Sequence, residues 1–352
     1  MSFSILKMSF SQKIIHWYST NKRSLPWRNT KDPYKIWLSE IMLQQTRVAQ
    51  GMPYYERFVA KFPTVHDLAS ASEEEVLKLW QGLGYYSRAR NLHATAKLVS
   101  KKYNGQFPNT YKGLLELKGI GDYTASAIAS FCFNEAQPVV DGNVYRVLSR
   151  YFGIDLPING AEGIKYFKAL ALKVMDANKI ADYNQGIMEF GAMQCAPKNP
   201  YCLHCPLNDS CAALQQGKID ALPVKLKKTK VKERYFNYLV VLDQDNTIEI
   251  RQRRGKGIWQ NLYEFPLLET ERDYSIKEIT NTMDTVLELM ETSEIYQFNE
   301  KPIVHKLSHQ HLHTKFWIVK SEEKHRNGVS FEELKKYPVP VLIAEFINAF
   351  KF

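Results

Sequence analysis

Four of the five cysteines in this chain, Cys195, Cys202, Cys205 and Cys211, fall between positions 195 and 211. Nothing else in the sequence restricts the fold as strongly. The spacing C-x6-C-x2-C-x5-C lets four thiolates close around one centre, a tetrahedral zinc or a [4Fe–4S] cluster. Structural zinc is usually gripped by two tight cysteine pairs. Here only Cys202 and Cys205 form such a pair and the outer spacings are long, which favours the cluster. Clustered cysteines in a chain without a secretory leader argue against a disulfide framework. Cys132 stands apart between Phe131 and Phe133 and reads as a small buried hydrophobe.

The 352 residues suggest about two domains. Hydrophobic residues at 45% and charged residues at 24% are globular values and exclude global disorder. The formal net charge of +10 suits a polyanionic partner, although it also serves plain solubility. No stretch approaches the ~20 apolar residues of a membrane span. The opening segment lacks the apolar core and cleavage site of a leader, and Met8 is a second candidate start. A cytoplasmic monomer without a membrane partner is expected.

Residues 11 to about 221 read as mostly helical, with apolar residues at helical spacing in Trp37-Leu38-x-x-Ile41-Met42 and Val76-Leu77-x-Leu79-Trp80. From 223 to 234 the composition turns basic, as in a solvated linker. Beyond Tyr235 the pattern becomes α+β. Strands are expected at Tyr235–Leu242, Thr247–Arg251 and His313–Lys320, and helices at Ile276–Met290 and Val341–Phe350.

Within the helical part, Leu114 to Ala125 reads as helix, tight turn, helix. Gly119 and Gly121 permit the turn, and bare N–H groups at the start of the second helix can hold a phosphate without sequence preference. Asp141 ends an apolar run just before a helical pattern, where an aspartate commonly caps the helix. Glu40 taken alone is an ordinary solvated glutamate on an amphipathic helix.

Together these segments resemble the adenine DNA glycosylase (MutY) family of the endonuclease III-like helix-hairpin-helix superfamily. The cysteine spacing is similar to that superfamily's cluster loop. Leu38-Ser39-Glu40-Ile41-Met42-Leu43-Gln44-Gln45-Thr46 matches the family signature. Leu25-Pro26-Trp27-Arg28, Asp32-Pro33-Tyr34, Gly82-Leu83-Gly84-Tyr85-Tyr86-Ser87-Arg88 and Asn184-Gln185 resemble further family segments. Lys118 stands where the family usually has proline.

The resemblance implies a mostly α helix-hairpin-helix DNA glycosylase domain with a [4Fe–4S] loop, followed by an α+β Nudix-like domain. Its boundaries are 1–222, with the hairpin at 111–131 and the iron–sulfur loop at 195–211, then a basic linker at 223–234 and the second domain at 235–352. It implies removal of adenine mispaired with 8-oxoguanine or guanine in duplex DNA, in a base excision repair reaction. Glu40 becomes the general acid, and Asp141 stabilises or attacks the sugar cation. Tyr123 and Asn143 join the catalytic set, and Tyr123 stands where strand-cutting relatives carry a Schiff-base lysine. The DNA-contacting set comprises Trp27, Arg28, Leu43, Gln45, Thr46, Tyr85, Ser87, Gly119, Gly121 and Gln185. Gln45 and Tyr85 are wedges into the duplex, and Gln185 reads adenine. The four cysteines ligate the cluster.

Trp259-Gln260-Asn261-Leu262-Tyr263-Glu264-Phe265-Pro266 resembles a Nudix segment, while residues 268–292 lack the Nudix metal pattern. The resemblance therefore implies a reader of 8-oxoguanine through Ser308 and His309, with Leu307 replacing the usual phenylalanine of that tip. Two other readings stay open: a strand-cutting lyase, disfavoured by Tyr123, and a non-catalytic DNA-binding module, disfavoured by Glu40 and Asp141.

Overall fold

The computed structural model describes residues 8–226, 231–287, 292–322 and 328–350. Positions 227–230 of the expected basic linker and 288–290 at the end of the expected 276–290 helix lie outside the described residues. The helices of the N-terminal part are α1 Phe10–Asn21, α2 Pro33–Leu43, α3 Val48–Lys61, α4 Val65–Ser70, α5 Glu73–Trp80, α6 Ser87–Lys102, α7 Tyr111–Leu115, α8 Asp122–Phe133, α9 Gly142–Phe152, α10 Ala161–Val174, α11 Ile180–Met193 and α12 Ala212–Gln215. Contacts divide the chain discontinuously. Met1–Ser70 and Asn91–Lys227 form one compact unit, and Ala71–Arg90 with Lys228–Phe352 the other.

In the first unit, α2 starts where Asp32 accepts from the Tyr34 N–H and Pro33 occupies the first helical position. It is buried on nearly every side, as a core helix should be, and packs on α3 and α8. The expected hairpin is α7, a tight turn and α8. Gly119 takes φ +79°, and a Cβ there would sit 2.8 Å from the Cβ of Asn91, so both conformation and space call for glycine. Thr95 Oγ1 pins the turn by donating to the Lys118 carbonyl at 2.6 Å. Helix α11 packs on α1, α8 and α9. It approaches α9 so closely that a Cβ on Gly191 would lie 2.9 Å from the Asn143 carbonyl oxygen.

The second unit is built on a sheet of order β4-β1-β7-β5, with β6 also paired to β7. Its strands are β1 Lys232–Leu242, β2 Arg251–Gln252, β3 Tyr263–Glu264, β4 Leu267–Thr270, β5 Thr292–Gln297, β6 Ile303–Lys306 and β7 Gln310–Ser321. β2 and β3 form a separate two-stranded sheet. β1 and β7 run parallel, in register from Lys232↔Gln310 to Leu242↔Lys320, so both begin three residues earlier than their hydrophobic runs suggest.

Both faces of this sheet are covered, which explains the unbroken apolar run of β1. On one face, Leu239, Val241, Trp317 and Val319 pack with Ile279 of α13 (Ile276–Thr282). On the other, Tyr238, Phe265 and Phe316 stack around Phe346 of α15 (Val341–Ala349), which follows the short α14 (Phe331–Leu334).

Two expected elements differ. Of the expected strand 247–251 only Arg251 lies in a strand, the two-residue β2, with a single bridging residue at Ile248. The Asp243 carboxylate accepts from the N–H groups of Asp245 and Thr247 and from the Thr247 hydroxyl. That turn takes the Thr247 donor and starts the segment out of the sheet, while the Ile248 and Glu249 N–H groups still reach the Val329 and Val241 carbonyls. The helix expected over 276–290 is α-helical only to Thr282 and continues as a 3-10 turn, Met283–Thr285.

Because the obstacle at Gly191 is backbone, Gly191→Ala is expected to lower stability by about 1–3 kcal/mol. Urea unfolding of the two proteins measures this directly, and an unchanged midpoint would mean that α9 and α11 can separate freely.

Candidate active site

A cavity of about 610 Å³ opens in the first unit, and it brings together residues remote in sequence. α2 supplies Glu40 and Leu43, with Thr46 just beyond it. The first turn of α8 supplies Tyr123, the start of α9 supplies Asp141 and Asn143, α11 supplies Gln185, and the turn Pro26–Arg28 supplies Trp27 and Arg28. The expected catalytic residues and five of the expected DNA-contacting residues thus share one cavity.

Glu40 is buried. Loss of water raises its carboxyl to about 7, against the pull of a hydrogen bond with Tyr123, while the charge of Asp141 pushes it further up. The Tyr123 phenol is driven well above its ordinary value by burial and by the neighbouring carboxylates, so it remains a donor. Asp141 is also raised by burial, but several partners oppose the rise. Its carboxylate accepts from the Asn143 and Val144 N–H groups at 2.9 and 2.8 Å and from Asn143 Nδ2 at 2.8 Å. It is therefore both the N-cap of α9 and a wall of the cavity. Glu40 therefore titrates near neutrality, while the helix start and Asn143 oppose the rise at Asp141.

Arg23 and Glu189 also line the cavity, and neither has a role assigned from the sequence. Burial pushes Glu189 upward, but hydrogen bonds from Arg23 and Arg28 prevail and hold it at about 2. Arg23 binds it in bidentate fashion at 2.7 and 2.6 Å, and Arg28 at 3.0 and 2.7 Å. Tyr18 donates to Gln185 Oε1 at 2.5 Å, which fixes the orientation of that amide. A glutamate inside the apolar pattern of α11 was the available signal, since a buried charge requires partners.

The remaining expected DNA-contacting residues lie outside this cavity. Gln45 is exposed just after α2, in the left-handed region at φ 56°. Gly121 caps α8 without any side chain, which leaves the first-turn N–H groups open to an anion. The Asp122 charge is occupied by Lys168 at 3.1 Å and by the Tyr111 hydroxyl at 2.5 Å. In the second unit, Tyr85 is half exposed with φ 48°, and Ser87 is exposed at the start of α6. Ser308 and His309 are exposed at the tip of the β6–β7 hairpin, beside half-buried Leu307.

All five cysteines are free thiols. Burial and mutual charge raise Cys202, Cys205 and Cys211, with Cys205 at about 11, so a cationic centre would relieve the group. Among the described residues no three Cys, His, Asp or Glu side chains gather tightly enough to hold a single metal ion. Two arginines on α9 tie this loop down. Arg146 donates to the carbonyls of Cys195 and Gly191 at 2.7 and 2.6 Å. Arg150 donates to the Ala196 and Pro197 carbonyls at 2.7 and 3.1 Å, and reaches Cys195 Sγ at 3.5 Å.

The raised Glu40 carboxyl has a consequence for stability. The folded value, about 7, lies above the ordinary 4.5. The penalty for ionising Glu40 is absent below the unfolded value, grows as pH rises between the two, and is complete above about 7. It reaches about 3 kcal/mol. Glu40→Gln removes it, so this variant should be the more stable protein at pH 8, with the advantage gone near pH 4. Denaturant titrations at the two pH values test this, and a pH-independent difference would refute a raised Glu40.

Residues 38–184 match the HhH-GPD superfamily of base excision DNA repair proteins, and residues 237–349 match the NUDIX domain. An adenine DNA glycosylase of Buchnera aphidicola subsp. Baizongia pistaciae is 38% identical over 320 residues, covering 88% of this chain and 86% of that protein. The structure of a thermostable thymine-DNA glycosylase aligns with TM-score 0.55 and 32% identity over 59% of this chain and 95% of its own. A non-covalent endonuclease III–DNA complex shares the fold, with TM-score 0.51 and 22% identity over 60% of this chain and 99% of its own. With its helix-hairpin-helix unit and NUDIX domain in this order, and with identity running through most of both chains, this protein belongs to the adenine DNA glycosylases, enzymes of base excision repair.

Proposed function

We propose that this enzyme flips adenine out of duplex DNA opposite 8-oxoguanine or guanine and hydrolyses its glycosidic bond, leaving an abasic site. The carrying observation is that Glu40 and Asp141 share one cavity, with Glu40 raised to about 7 and Asp141 held by three donors. Adenine leaves poorly unless its ring is protonated, so the neutral Glu40 carboxyl delivers a proton to N7. The C1′–N9 bond then breaks, and its electron pair goes to the protonated base. The ionised Asp141 faces the resulting sugar cation and either stabilises it or forms a transient bond, and water supplies the final hydroxyl. The base must first leave the stack, which the cavity volume and the wedges Gln45 and Tyr85 support.

Tyr123 lies within hydrogen-bonding reach of Glu40, its hydroxyl also 3.1 Å from Met188 Sδ, and Asn143 holds Asp141. Glu189, clamped by Arg28 and Arg23, presents a fixed anion to the cavity, and Gln185 presents an amide set by Tyr18. Without an amine at position 123 no Schiff base forms there, so the strand remains uncut. The bare start of α8 after Gly119 and Gly121 takes a phosphate, and the exposed Ser308–His309 tip meets the base opposite the adenine. Oxidation turns N7 of guanine from acceptor to donor, and the Ser308 hydroxyl can accept from it.

Cys195, Cys202, Cys205 and Cys211 are the residues to hold a [4Fe–4S] cluster. Four thiols within electrostatic reach, yet not closed around a point, suit a multi-atom centre better than a lone zinc. Such a cluster would supply structural rigidity to a loop already bound to α9. Localisation in the cytoplasm and action as a monomer complete this reading.

Single-turnover base release from A·8-oxoG and A·G duplexes tests the assignment. Glu40→Gln should bind the mismatch and lose ~10²–10⁴ in rate. Protonated Glu40 is the active form, so the wild-type rate should fall as pH rises above about 7. Ser308→Ala with His309→Ala should narrow the preference for 8-oxoguanine by roughly ten- to a hundredfold. Wild-type turnover by Glu40→Gln would remove it as the acid, and efficient strand cutting before alkali would favour a lyase.

Metal analysis of the purified protein should find four irons and no stoichiometric zinc. Cys202→Ser should lose iron and DNA affinity together. One zinc without iron would refute the cluster.

A further inference from the structure

Residues 71–90 precede most of the glycosylase unit in sequence, yet they pack with the C-terminal residues. The attachment is specific. In the first turn of α5, Glu73 accepts from Asn261 Nδ2 at 2.5 Å and Glu74 accepts from the Tyr263 hydroxyl. At the other end of α5, Lys78 Nζ donates to the Tyr337 carbonyl at 2.9 Å and to Gln81 Oε1 at 3.3 Å. Gln81 Oε1 also accepts from the Val339 N–H at 3.2 Å. Beyond the loop, Arg90 Nη1 donates to the Gln260 carbonyl at 2.8 Å. The strap 337–339 is itself fixed, because the Tyr263 N–H donates to the Pro338 carbonyl at 2.8 Å.

The loop between these anchors carries Tyr85. It bends through Gly82 and Gly84, at φ 95° and 75°, and Tyr85 itself lies at φ 48°. Trp80 Nε1 donates to the Gly84 carbonyl at 3.0 Å, and the Arg88 guanidinium lies 5.3 Å from the Tyr85 ring centre. The ring is nevertheless 48% exposed. A strained, exposed aromatic is thus held at the apex of a loop whose base is gripped by the NUDIX domain.

We infer that the NUDIX domain sets the wedge Tyr85 through Gln81 and Lys78, so that the wedge and the Ser308–His309 tip form one reading element for the base opposite the adenine. The inference rests on the proposed wedge role of Tyr85. Gln81 and Lys78 are positioning residues: they touch no DNA and act by presetting the loop, which lowers the ordering cost on binding. The C-terminal domain therefore contributes to selectivity twice, at its own tip and through residues 81–86. A chain cut at Pro223 would lose both and also leave α5 without these partners.

Full-length protein serves for the test. In Gln81→Met both hydrogen bonds to Oε1 are lost, whereas Gln81→Glu keeps an acceptor for Val339 and Lys78. Hydrogen exchange in the free protein should speed up across residues 82–86 in Gln81→Met and remain as in wild type in Gln81→Glu. The ratio of single-turnover excision opposite 8-oxoguanine to that opposite guanine should fall roughly five- to tenfold in Gln81→Met. The double variant with Tyr85→Leu should be no worse than Tyr85→Leu alone. Lys78→Met, which leaves the Val339 contact in place, should show a smaller loss in the same direction, and it decides the matter should Gln81→Met fail to fold. Unchanged exchange at 82–86 would refute the clamp. An unchanged ratio, or an additive loss in the double variant, would refute its action through Tyr85. A wild-type ratio near one would instead overturn the 8-oxoguanine reading, and it is measured before any variant is made.

Discussion

Asp141 closes the N-terminus of α9, and most of the site's chemistry follows from that one contact. A carboxylate capping a helix accepts N–H donors and sits in the positive end of the helix dipole. Burial raises Asp141, and these same donors resist the rise. Glu40, in the same cavity, has Tyr123 as its hydrogen-bond partner and rests at about 7. Two carboxyls in one cavity thus meet unequal surroundings, burial dominating at Glu40 and the helix-start donors opposing it at Asp141. The same helix carries Arg146 and Arg150, one turn apart, whose guanidinium groups hold the backbone on either side of Cys195. The cysteine loop and the Asp141 cap are therefore both tied to one helix, α9. Disturbing the loop should be felt at Asp141 through α9 rather than through any direct contact.

The parts of the fold legible in the sequence are those fixed by local rules. The hairpin showed itself through Gly119, where conformation and the close approach of Asn91 both demand glycine. β1 and β7 showed themselves as apolar runs because the sheet is covered on both faces. Thr247–Arg251 misled because strand-forming side chains say nothing about a nearby Asp243 that captures the Thr247 N–H and hydroxyl and leaves only isolated bridging at Ile248. The long strand starts at Lys232 and Gln310 were hidden for a similar reason. Those polar residues are ordered by pairing with each other, not by propensity.

Asp141 admitted two local readings, cap and cavity residue, and the structure satisfies both. Glu189 was the reverse case. Its role depends on Arg23 and Arg28, more than 160 positions away, and no local pattern links them. The grouping of residues 71–90 with the C-terminal part was equally illegible, since each of its hydrogen bonds to that part spans a long stretch of chain and several end on backbone atoms that carry no sequence signature.

Strain gives an independent indication of which exposed residues matter. Gln45 and Tyr85 both occupy the left-handed region, at φ 56° and 48°. For a residue with a Cβ this costs on the order of 1–2 kcal/mol, and neither side chain recovers it by deep burial. Something other than packing must hold these conformations. At Gln45 the local frame is set by the Thr46 N–H, which donates to the Leu43 carbonyl at 3.1 Å, at the end of a buried helix that cannot shift. At Tyr85 it is set by the two preceding glycines, Gly82 and Gly84, and by a loop base anchored at Lys78, Gln81 and Arg90. In each case a rigid support aims a side chain outward in a conformation it would not choose alone. A wedge must enter a closed stack of bases, and a side chain already aimed loses less entropy on entry than a mobile one. In the proposed wedge role, strain at these two positions would be carried by the free protein and would lower the cost of opening DNA.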